Sequence, residues 1–246
     1  MKTAAVVLAG GSVKRMGAEV PKQYLSLDGR PLVFYSLKAF EDSFIDTVVL
    51  VVTAGDEDYC RREIVERYGF RKVAAVVSGG KERYHSVVKG VEAVAEDVSW
   101  IFIHDGARPF LSREVLERAF EDVKRSGASV VAVQSKDTVR LADAEGFVRE
   151  TPPRDEVWQM QTPQVFSAEL LRRACRELSE KEGELLAKGI RITDDAMMVE
   201  LLCGQRAHLV TGDYENIKIT TPEDLEFAEM LIKRRKNAAD RAGKGW

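Results

Sequence analysis

A buried strand that runs straight into a glycine-rich turn is the feature that most constrains this chain. Residues Ala4 to Ala9 form a short, partly β-branched apolar run with no polar side chain, which is how a strand covered on both faces reads. The run breaks at Gly10 and Gly11, where the missing Cβ lets the backbone turn sharply and bring its N–H groups against a ligand. Three cations follow, Lys14, Arg15 and Lys22, and the whole stretch extends from Leu8 to Tyr24. Backbone amides that satisfy phosphate oxygens, followed by cations that offset their charge, are what a polyphosphate requires. The same residues also suit a plain turn with solvated lysines, so the glycines alone leave both readings open. Two phosphate motifs are excluded: there is no G-x-x-x-x-G-K-[ST] and no G-x-G-x-x-G, which removes a P-loop and the fingerprint of dinucleotide redox enzymes.

Length and charge narrow the class. A chain of 246 residues can bury the core of one large α/β domain, or of one domain with an appendage. Its net charge of −3 offers no global basic field for nucleic acid. Cys60, Cys175 and Cys203 are far apart, odd in number and set in apolar helical contexts. They read as small core residues rather than disulfide partners or metal ligands. Met1 to Ala9 lacks the layout of a signal peptide, and no apolar run reaches the ~18 residues of a membrane span. The expectation is a soluble, cytoplasmic protein.

Strand and helix signals then alternate. Val48–Val52, Val73–Val77, Trp100–Ile103 and Ala128–Val133 read as strands. Between them, Asp56–Tyr68 places Cys60, Ile64, Val65 and Tyr68 on one helical face, Val87, Val88, Val91 and Val94 form a second stripe, and Ser112 caps a helix burying Val115, Leu116, Ala119, Phe120 and Val123. This is the rhythm of βαβ units, and it predicts an α/β fold: a Rossmann-like, mostly parallel sheet with helices on both faces. Ligands of such sheets sit beyond the carboxyl ends of the strands, where Gly10, Ser78-Gly79-Gly80 and Asp105-Gly106-Ala107-Arg108 all fall.

The rhythm fails at residues 135–157, a mostly polar stretch. Val139, Leu141, Phe147 and Val148 flank a turn at Asp143–Gly146, and Pro152-Pro153 stops it, the pattern of a protruding β-hairpin arm. Such a hairpin has too little apolar surface to stand alone; it lies either on a second subunit or as a flap on its own domain. Beyond it, Trp158–Phe166 is extended, because the residue before Pro163 disfavours a helix. Ser167 caps a helix, and Thr193-Asp194-Asp195 opens an apolar one ending near Cys203. His208–Thr211 and Asn216–Ile219 read as short strands, Thr221-Pro222-Glu223-Asp224 starts a last helix, and the polar tail from Lys233 reads as frayed.

Taken together, these stretches resemble one family. Leu8-Ala9-Gly10-Gly11 with Lys14-Arg15-Met16 and Pro21-Lys22-Gln23-Tyr24 resembles the sugar-nucleotide pyrophosphorylase signature. Gly79-Gly80-x-Glu82-Arg83-x-x-Ser86-Val87, His104-Asp105-Gly106-Ala107-Arg108-Pro109, Asp137-Thr138, Thr162-Pro163-Gln164, Thr193-Asp194-Asp195-Ala196 and Asn216-Ile217-Lys218 narrow the resemblance to the 2-C-methyl-D-erythritol 4-phosphate cytidylyltransferases, from about Thr3 to about Ala228. The resemblance implies one nucleotidyltransferase domain over residues 1–246 with residues 135–157 inserted as an arm. It also implies Mg²⁺-dependent transfer of a cytidylyl group from CTP to the 4-phosphate of methylerythritol phosphate in non-mevalonate isoprenoid biosynthesis, and a homodimer joined through the arm. It carries transition-state stabilisation onto Arg15 and Lys22, and positioning of the acceptor phosphate onto Arg154 and Lys218. Ala9, Gly10, Gly11, Gly80, Ser86 and Gly106 fall on its nucleotide contacts. Asp105, Arg108, Thr138 and Thr162 fall on contacts to the acceptor or its metal environment, with Asp105 as the metal carboxylate. Val13 and Lys81 depart from the pattern, where many relatives carry Gly and Asp.

The residues themselves support that chemistry. A phosphate nucleophile is already ionised at neutral pH, so alignment and charge neutralisation suffice without a general base. His85, His104 and His208 are scattered accordingly, and His104 reads as a hydrogen-bonded structural residue. Asp105 beside Gly106 at a strand end suits a Mg²⁺ ion, which takes one or two carboxylates plus phosphates; a loop-capping aspartate is the plainer reading. Lys218 between Ile217 and Ile219 also reads as a solvated lysine. A ribitol-5-phosphate cytidylyltransferase, which shares most of these motifs, is the nearest alternative; the later motifs argue against a transferase acting on a hexose phosphate, and the presence of Arg15 and Lys22 argues against a catalytically inactive nucleotide sensor on the same fold.

Overall fold

The computed structural model describes residues 1–10 and 22–241, without the side chains of Lys22 and residues 238–241. In chain order its elements are β1 (Lys2–Ala9), β2 (Ser26–Leu27), β3 (Arg30–Pro31), α1 (Leu32–Glu41), β4 (Thr47–Val52), α2 (Glu57–Tyr59) continuing as a π-helical stretch (Cys60–Glu66), β5 (Val73–Ser78), α3 (Arg83–Glu92) and β6 (Val98–Asp105). Then follow α4 (Arg113–Ser126), β7 (Ala128–Gln134), β8 (Leu141–Ala142), β9 (Val148–Glu150), β10 (Trp158–Ser167), α5 (Ala168–Ala187), α6 (Asp195–Cys203), β11 (His208–Thr211) and α7 (Pro222–Arg241).

Seven strands form one sheet in the order β11-β7-β10-β6-β1-β4-β5. All neighbours are parallel except β10, which runs antiparallel to both β6 and β7. Period-two alternation splits each central strand between two cores. Ala5, Val7, Leu50 and Phe102 face α1, α4 and α7 through Leu32, Phe40, Leu116, Ala119 and Ile232. Ala4, Val6, Val51, Ile101 and Ile103 face α3, α5 and α6 through Val87, Val91, Leu171, Ala174 and Met198. Burial on both faces is why β1 is apolar throughout its centre, and Cys60 and Cys175 lie in these cores as expected.

The expected helix starts are present. Ser112 accepts from the Val115 N–H, Ser167 from Leu170, and Asp194 from Met197. The 141–150 hairpin also forms, with its paired strands only two and three residues long. Two expectations are corrected. Asn216–Ile219 is not a strand. The Asn216 side chain is buried and spends its amide on the Gln161 side chain and the Thr162 carbonyl, while the Ile219 N–H is taken by the Ala107 carbonyl, so the segment is pinned by separate bonds rather than by a ladder. The tail from Lys233 is not frayed at its start, because α7 continues to Arg241. Leu231 and Ile232 bury its inner face, and Arg234 and Arg235 both pair with Glu215. Helix α1 carries no capping side chain to announce it in the sequence: Pro31 precedes its first turn.

Gly90 sets how closely α3 lies on the sheet. A Cβ there would stand 2.4 Å from Val6 Cγ1 and 2.9 Å from Val51 Cγ2, so any larger residue lifts the helix or displaces the central strands. Overpacking of this kind costs about 1–3 kcal/mol. Gly90→Ala is therefore expected to lower the thermal unfolding midpoint by roughly 3–10 °C, despite the better helix propensity of alanine; an unchanged or raised midpoint in a thermal scan contradicts this packing.

Candidate functional site

Strand register brings the loops to one rim. Ala9 lies opposite Val52, Val52 opposite Ser78, and Leu8 opposite Asp105. The chain winds outward from β1 through β4 to β5, then crosses to β6 on the other side of β1. The crevice beyond β1 and β6 is the topological switch point at which such sheets bind ligands. Backbone bonds seat the loops there: the Gly79 N–H donates to the Val52 carbonyl at 2.6 Å and the Gly106 N–H to the Leu8 carbonyl at 2.8 Å.

On the β5 side the loop folds tightly onto the start of α3. A Cβ on Gly80 would lie 2.3 Å from His85 Cβ, so only glycine fits. The Gly80 N–H donates to Ser86 Oγ at 3.0 Å, and that hydroxyl donates to the Glu82 carbonyl at 3.3 Å. His85 Nδ1 accepts from the Glu82 N–H, which leaves Nε2–H to donate to the Glu182 carboxylate at 3.0 Å. The Tyr84 hydroxyl donates to the same carboxylate at 2.7 Å. Helix α5 thus braces the loop from below, and Lys81 at its tip is exposed.

On the β6 side charges alternate. Asp195, the first residue of α6, is buried and receives Arg83 Nη1 and Nη2 at 2.8 and 2.9 Å. Arg83 Nε donates to Asp105 Oδ1 at 3.2 Å. Asp105 Oδ2 receives Lys218 Nζ at 2.7 Å and lies 3.9 Å from Arg108 Nε. Burial pushes the Asp105 carboxyl up, but Arg83, Lys218 and Arg108 together outweigh it and hold it well below the usual carboxylate range. Burial also raises Asp195, and Arg83 offsets only part of that. Three cations against two carboxylates leave one positive charge over, which favours an anionic ligand. Arg108 is turned by carbonyls, donating to Asn216 O at 2.7 Å and Met160 O at 3.4 Å, while its buried Nε has no hydrogen-bond partner among the described residues.

Beneath this cluster lies a neutral scaffold. His104 Nε2–H donates to the Arg108 carbonyl at 3.3 Å, so Nδ1 accepts from the Thr162 hydroxyl at 2.9 Å. Thr162 Oγ1 in turn accepts the Asp105 N–H at 3.1 Å. Complete burial, only partly opposed by Asp105, pushes the His104 pKa down to about 4, so the ring is uncharged at neutral pH and serves structure, as its scattered position in the sequence suggested. Gln161 and Gln164 tie neighbouring loops to β10. Gln161 donates to the Asp213 carbonyl and accepts from Asn216; Gln164 donates to Asp194 and accepts the Ala196 N–H.

The structure therefore brings Asp105, Arg108, Thr162 and Lys218 into one cluster, with Gly106 at its base and Ala9, Gly10, Gly80 and Ser86 on the same rim. Lys218 is paired, not simply solvated. Arg154 Nη2 donates to Thr138 Oγ1 at 3.2 Å at the base of the arm; among the described residues neither touches the Asp105 cluster. Gly11, Arg15 and the Lys22 side chain lie outside the described residues. Two residues that complete the cluster, Arg83 and Asp195, were legible only as letters within motifs. Nothing local in the sequence pairs an arginine with an aspartate 112 positions away.

For a divalent cation, the described residues contain no group of three or more His, Cys, Asp or Glu side chains that could hold one. Asp195 is held by both terminal nitrogens of Arg83, and the two oxygens of Asp105 are taken by Arg83 and Lys218, so neither carboxylate of the cluster is free for a cation. Against the expectation for Asp105, the described residues fit Mg²⁺ only as an ion carried by a ligand's phosphates and water.

The chain is similar to known proteins over nearly its whole length. Residues 3–234 match the family model described as 2-C-methyl-D-erythritol 4-phosphate cytidylyltransferase. Curated proteins of that name from Pelotomaculum thermopropionicum and Lachnoclostridium phytofermentans are 46% and 43% identical, covering 98% and 96% of this chain and 99% and 98% of theirs. Among solved structures, the 4-diphosphocytidyl-2C-methyl-D-erythritol synthase of Anaerococcus prevotii superposes with a TM-score of 0.79 at 31% identity, covering 94% of this chain and 96% of that one. The 2-C-methyl-D-erythritol 4-phosphate cytidylyltransferase of Thermus thermophilus does so at 0.72 and 32%, covering 95% and 100%.

The buried neutral imidazole has a consequence for acid stability. The unfolded chain protonates His104 near its ordinary 6.5, the folded chain only near 4. Between those values the unfolded state binds the extra proton, so stability falls as pH drops through that window, by roughly 3 kcal/mol in all. Urea unfolding at pH 7 and pH 4.5 is expected to show a smaller loss in His104→Gln than in the wild type; equal losses contradict the assignment.

Proposed function

This chain belongs to the 2-C-methyl-D-erythritol 4-phosphate cytidylyltransferase family, and from that premise we propose how its residues divide the work. The activity is transfer of the cytidylyl group of CTP to 2-C-methyl-D-erythritol 4-phosphate, giving 4-diphosphocytidyl-2-C-methyl-D-erythritol and pyrophosphate. An acceptor phosphate oxygen forms a bond to the α-phosphorus of CTP. The bond from that phosphorus to the β-phosphate bridging oxygen breaks, and pyrophosphate leaves with the electron pair. The single observation that supports this reading is the Asp105 cluster, an excess of positive charge at the switch point on which the Lys218 side chain is partly exposed.

Since no proton must be removed from the nucleophile, catalysis is alignment and charge neutralisation. Arg15 and Lys22 neutralise charge on the α-phosphoryl group and the departing pyrophosphate. Lys218 and Arg154 orient the acceptor phosphate, with Asp105, Arg108, Thr138 and Thr162 around the acceptor. Ala9, Gly10, Gly11, Gly80, Ser86 and Gly106 contact the nucleotide; the small loop around Gly80 suits a pyrimidine better than a purine. Mg²⁺ would be carried by the phosphates of CTP and would supply further neutralisation of their charge; Asp105 could join it only by releasing Lys218.

The reading extends to assembly. Residues 1–246 work as one nucleotidyltransferase domain, and residues 135–157 reach a second copy of the chain and deliver Arg154 to its acceptor site. Supporting this, the arm leaves Phe147 and Val148 more than half exposed, at 69% and 55%, and Leu141 partly so, on a hairpin too short to be stable alone. Arginine suits the task because its planar fork grips phosphate at two points. The three free thiols accord with a reducing compartment, the cytoplasm. No helix among the described residues is long and apolar enough to cross a membrane.

Pyrophosphate release tests these roles. Lys22→Ala and Arg15→Ala are expected to lower kcat by about two orders of magnitude or more; near-normal turnover removes their role. Faster turnover with ribitol 5-phosphate than with methylerythritol phosphate overturns the acceptor, and equal turnover with ATP overturns the nucleotide. For the arm, Arg154→Ala is expected to raise KM for the acceptor with little change in CTP binding. Arg154→Ala and Lys22→Ala proteins mixed under subunit exchange should regain activity, because one site of a mixed dimer draws its intact residues from both chains. An active monomer, or no recovery on mixing, confines the arm to its own domain.

A further inference from the structure

We propose that Asp195 is a positioning residue for the transfer reaction: through Arg83 it divides the two oxygens of Asp105, keeping one for Lys218. This rests on the reading of the Asp105 cluster as the acceptor-phosphate site. The division is visible in the geometry. Both terminal nitrogens of Arg83 are occupied by Asp195, so only Nε is left for Asp105, and it takes Oδ1 alone. Oδ2 is thereby left to Lys218 at 2.7 Å. A guanidinium prefers to meet a carboxylate through two parallel N–H bonds. Without Asp195, the Asp105 carboxylate is the nearest acidic partner for the freed fork of Arg83. Two-point pairing there would engage both Asp105 oxygens and displace the ammonium of Lys218.

Asp195 is not needed for the helix it begins. The N-cap of α6 is Asp194, whose carboxylate accepts the Met197 N–H at 2.9 Å and the Gln164 amide at 3.0 Å. The Ala196 N–H is satisfied by Gln164 Oε1 at 2.9 Å. These bonds fix where the first turn of α6 lies, and hence where Asp195 points, without involving its side chain. What remains is a carboxylate buried to 1% exposure whose hydrogen bonds go to Arg83. Buried ion pairs of this kind contribute little net stability over apolar replacements. The geometry gives this one a specific task, to aim Arg83 and so to hold Lys218 in place.

The test is steady-state kinetics of pyrophosphate release with CTP and methylerythritol phosphate. Asp195→Asn keeps the shape of the side chain and is expected to raise KM for the acceptor and lower kcat, together ten- to hundred-fold in kcat/KM, with KM for CTP within about twofold. Because the effect passes through Lys218, adding Asp195→Asn to Lys218→Ala should cost no more than about a further twofold. A merely structural role would instead lower both substrates' parameters and multiply the Lys218→Ala defect. Should Asp195→Asn fail to fold, Arg83→Lys replaces it in both backgrounds, since an ammonium cannot hold two carboxylates in a fixed fork, and the same pattern is expected. Wild-type KM for the acceptor in the folded variant, or full multiplication in the double variant, overturns the proposal while leaving the site assignment standing. A Lys218→Ala protein with normal acceptor kinetics overturns both.

Discussion

One guanidinium shared by two carboxylates organises the functional end of this protein. Arg83 comes from the first turn of α3, Asp195 from the first residue of α6, and Asp105 from the last residue of β6. The three elements lie on a single rim, and this arrangement ties their ends together. Removing one partner from a buried pair of this kind costs about 3–5 kcal/mol, because a charge is left uncompensated in a poorly solvated place. The network is therefore strongly coupled in position, even though its net stabilisation is small.

Around that network the protein keeps charge where it is useful and removes it elsewhere. His104, one residue from Asp105, is neutral by burial and works as a hydrogen-bond bridge to Thr162 and the Arg108 carbonyl. Asn216 and Gln161 form a second layer of uncharged amides that fixes the loop bearing Lys218. The far side of that loop is held by Glu215, clasped by Arg234 and Arg235 of α7. Lys218 is thus supported from two directions while 36% of its side chain stays exposed, so its ammonium remains open to an anion. The β5 loop is treated differently: Gly80 and Ser86 are locked by short contacts and braced from α5 by Glu182. A rigid loop on one side and a charged cluster on the other suit a reaction between two anions, where placement and neutralisation supply most of the rate.

The sequence by itself determined the α/β architecture, because the 2.0 and 3.6 periodicities of apolar residues are local properties. β1 could be read as a strand buried on both faces, β4 and β7 as strands, and Ser112, Ser167 and the Thr193-Asp194-Asp195 run as helix starts, since a cap bonds only three residues ahead. The motifs at Gly10, Gly80, Asp105 and Lys218 were legible for the same reason. Tertiary structure alone decided what those motifs do to one another. Asn216–Ile219 has the alternation of a strand, yet a buried side chain and single loop bonds claim its polar groups. Lys218 reads as a surface lysine until β6 places Asp105 beside it. Arg83 and Asp195 form a bidentate pair across 112 positions of chain, and electrostatic pairing at that separation leaves no periodic trace. It exists only once the sheet register has brought two strand ends and two helix starts to the same rim.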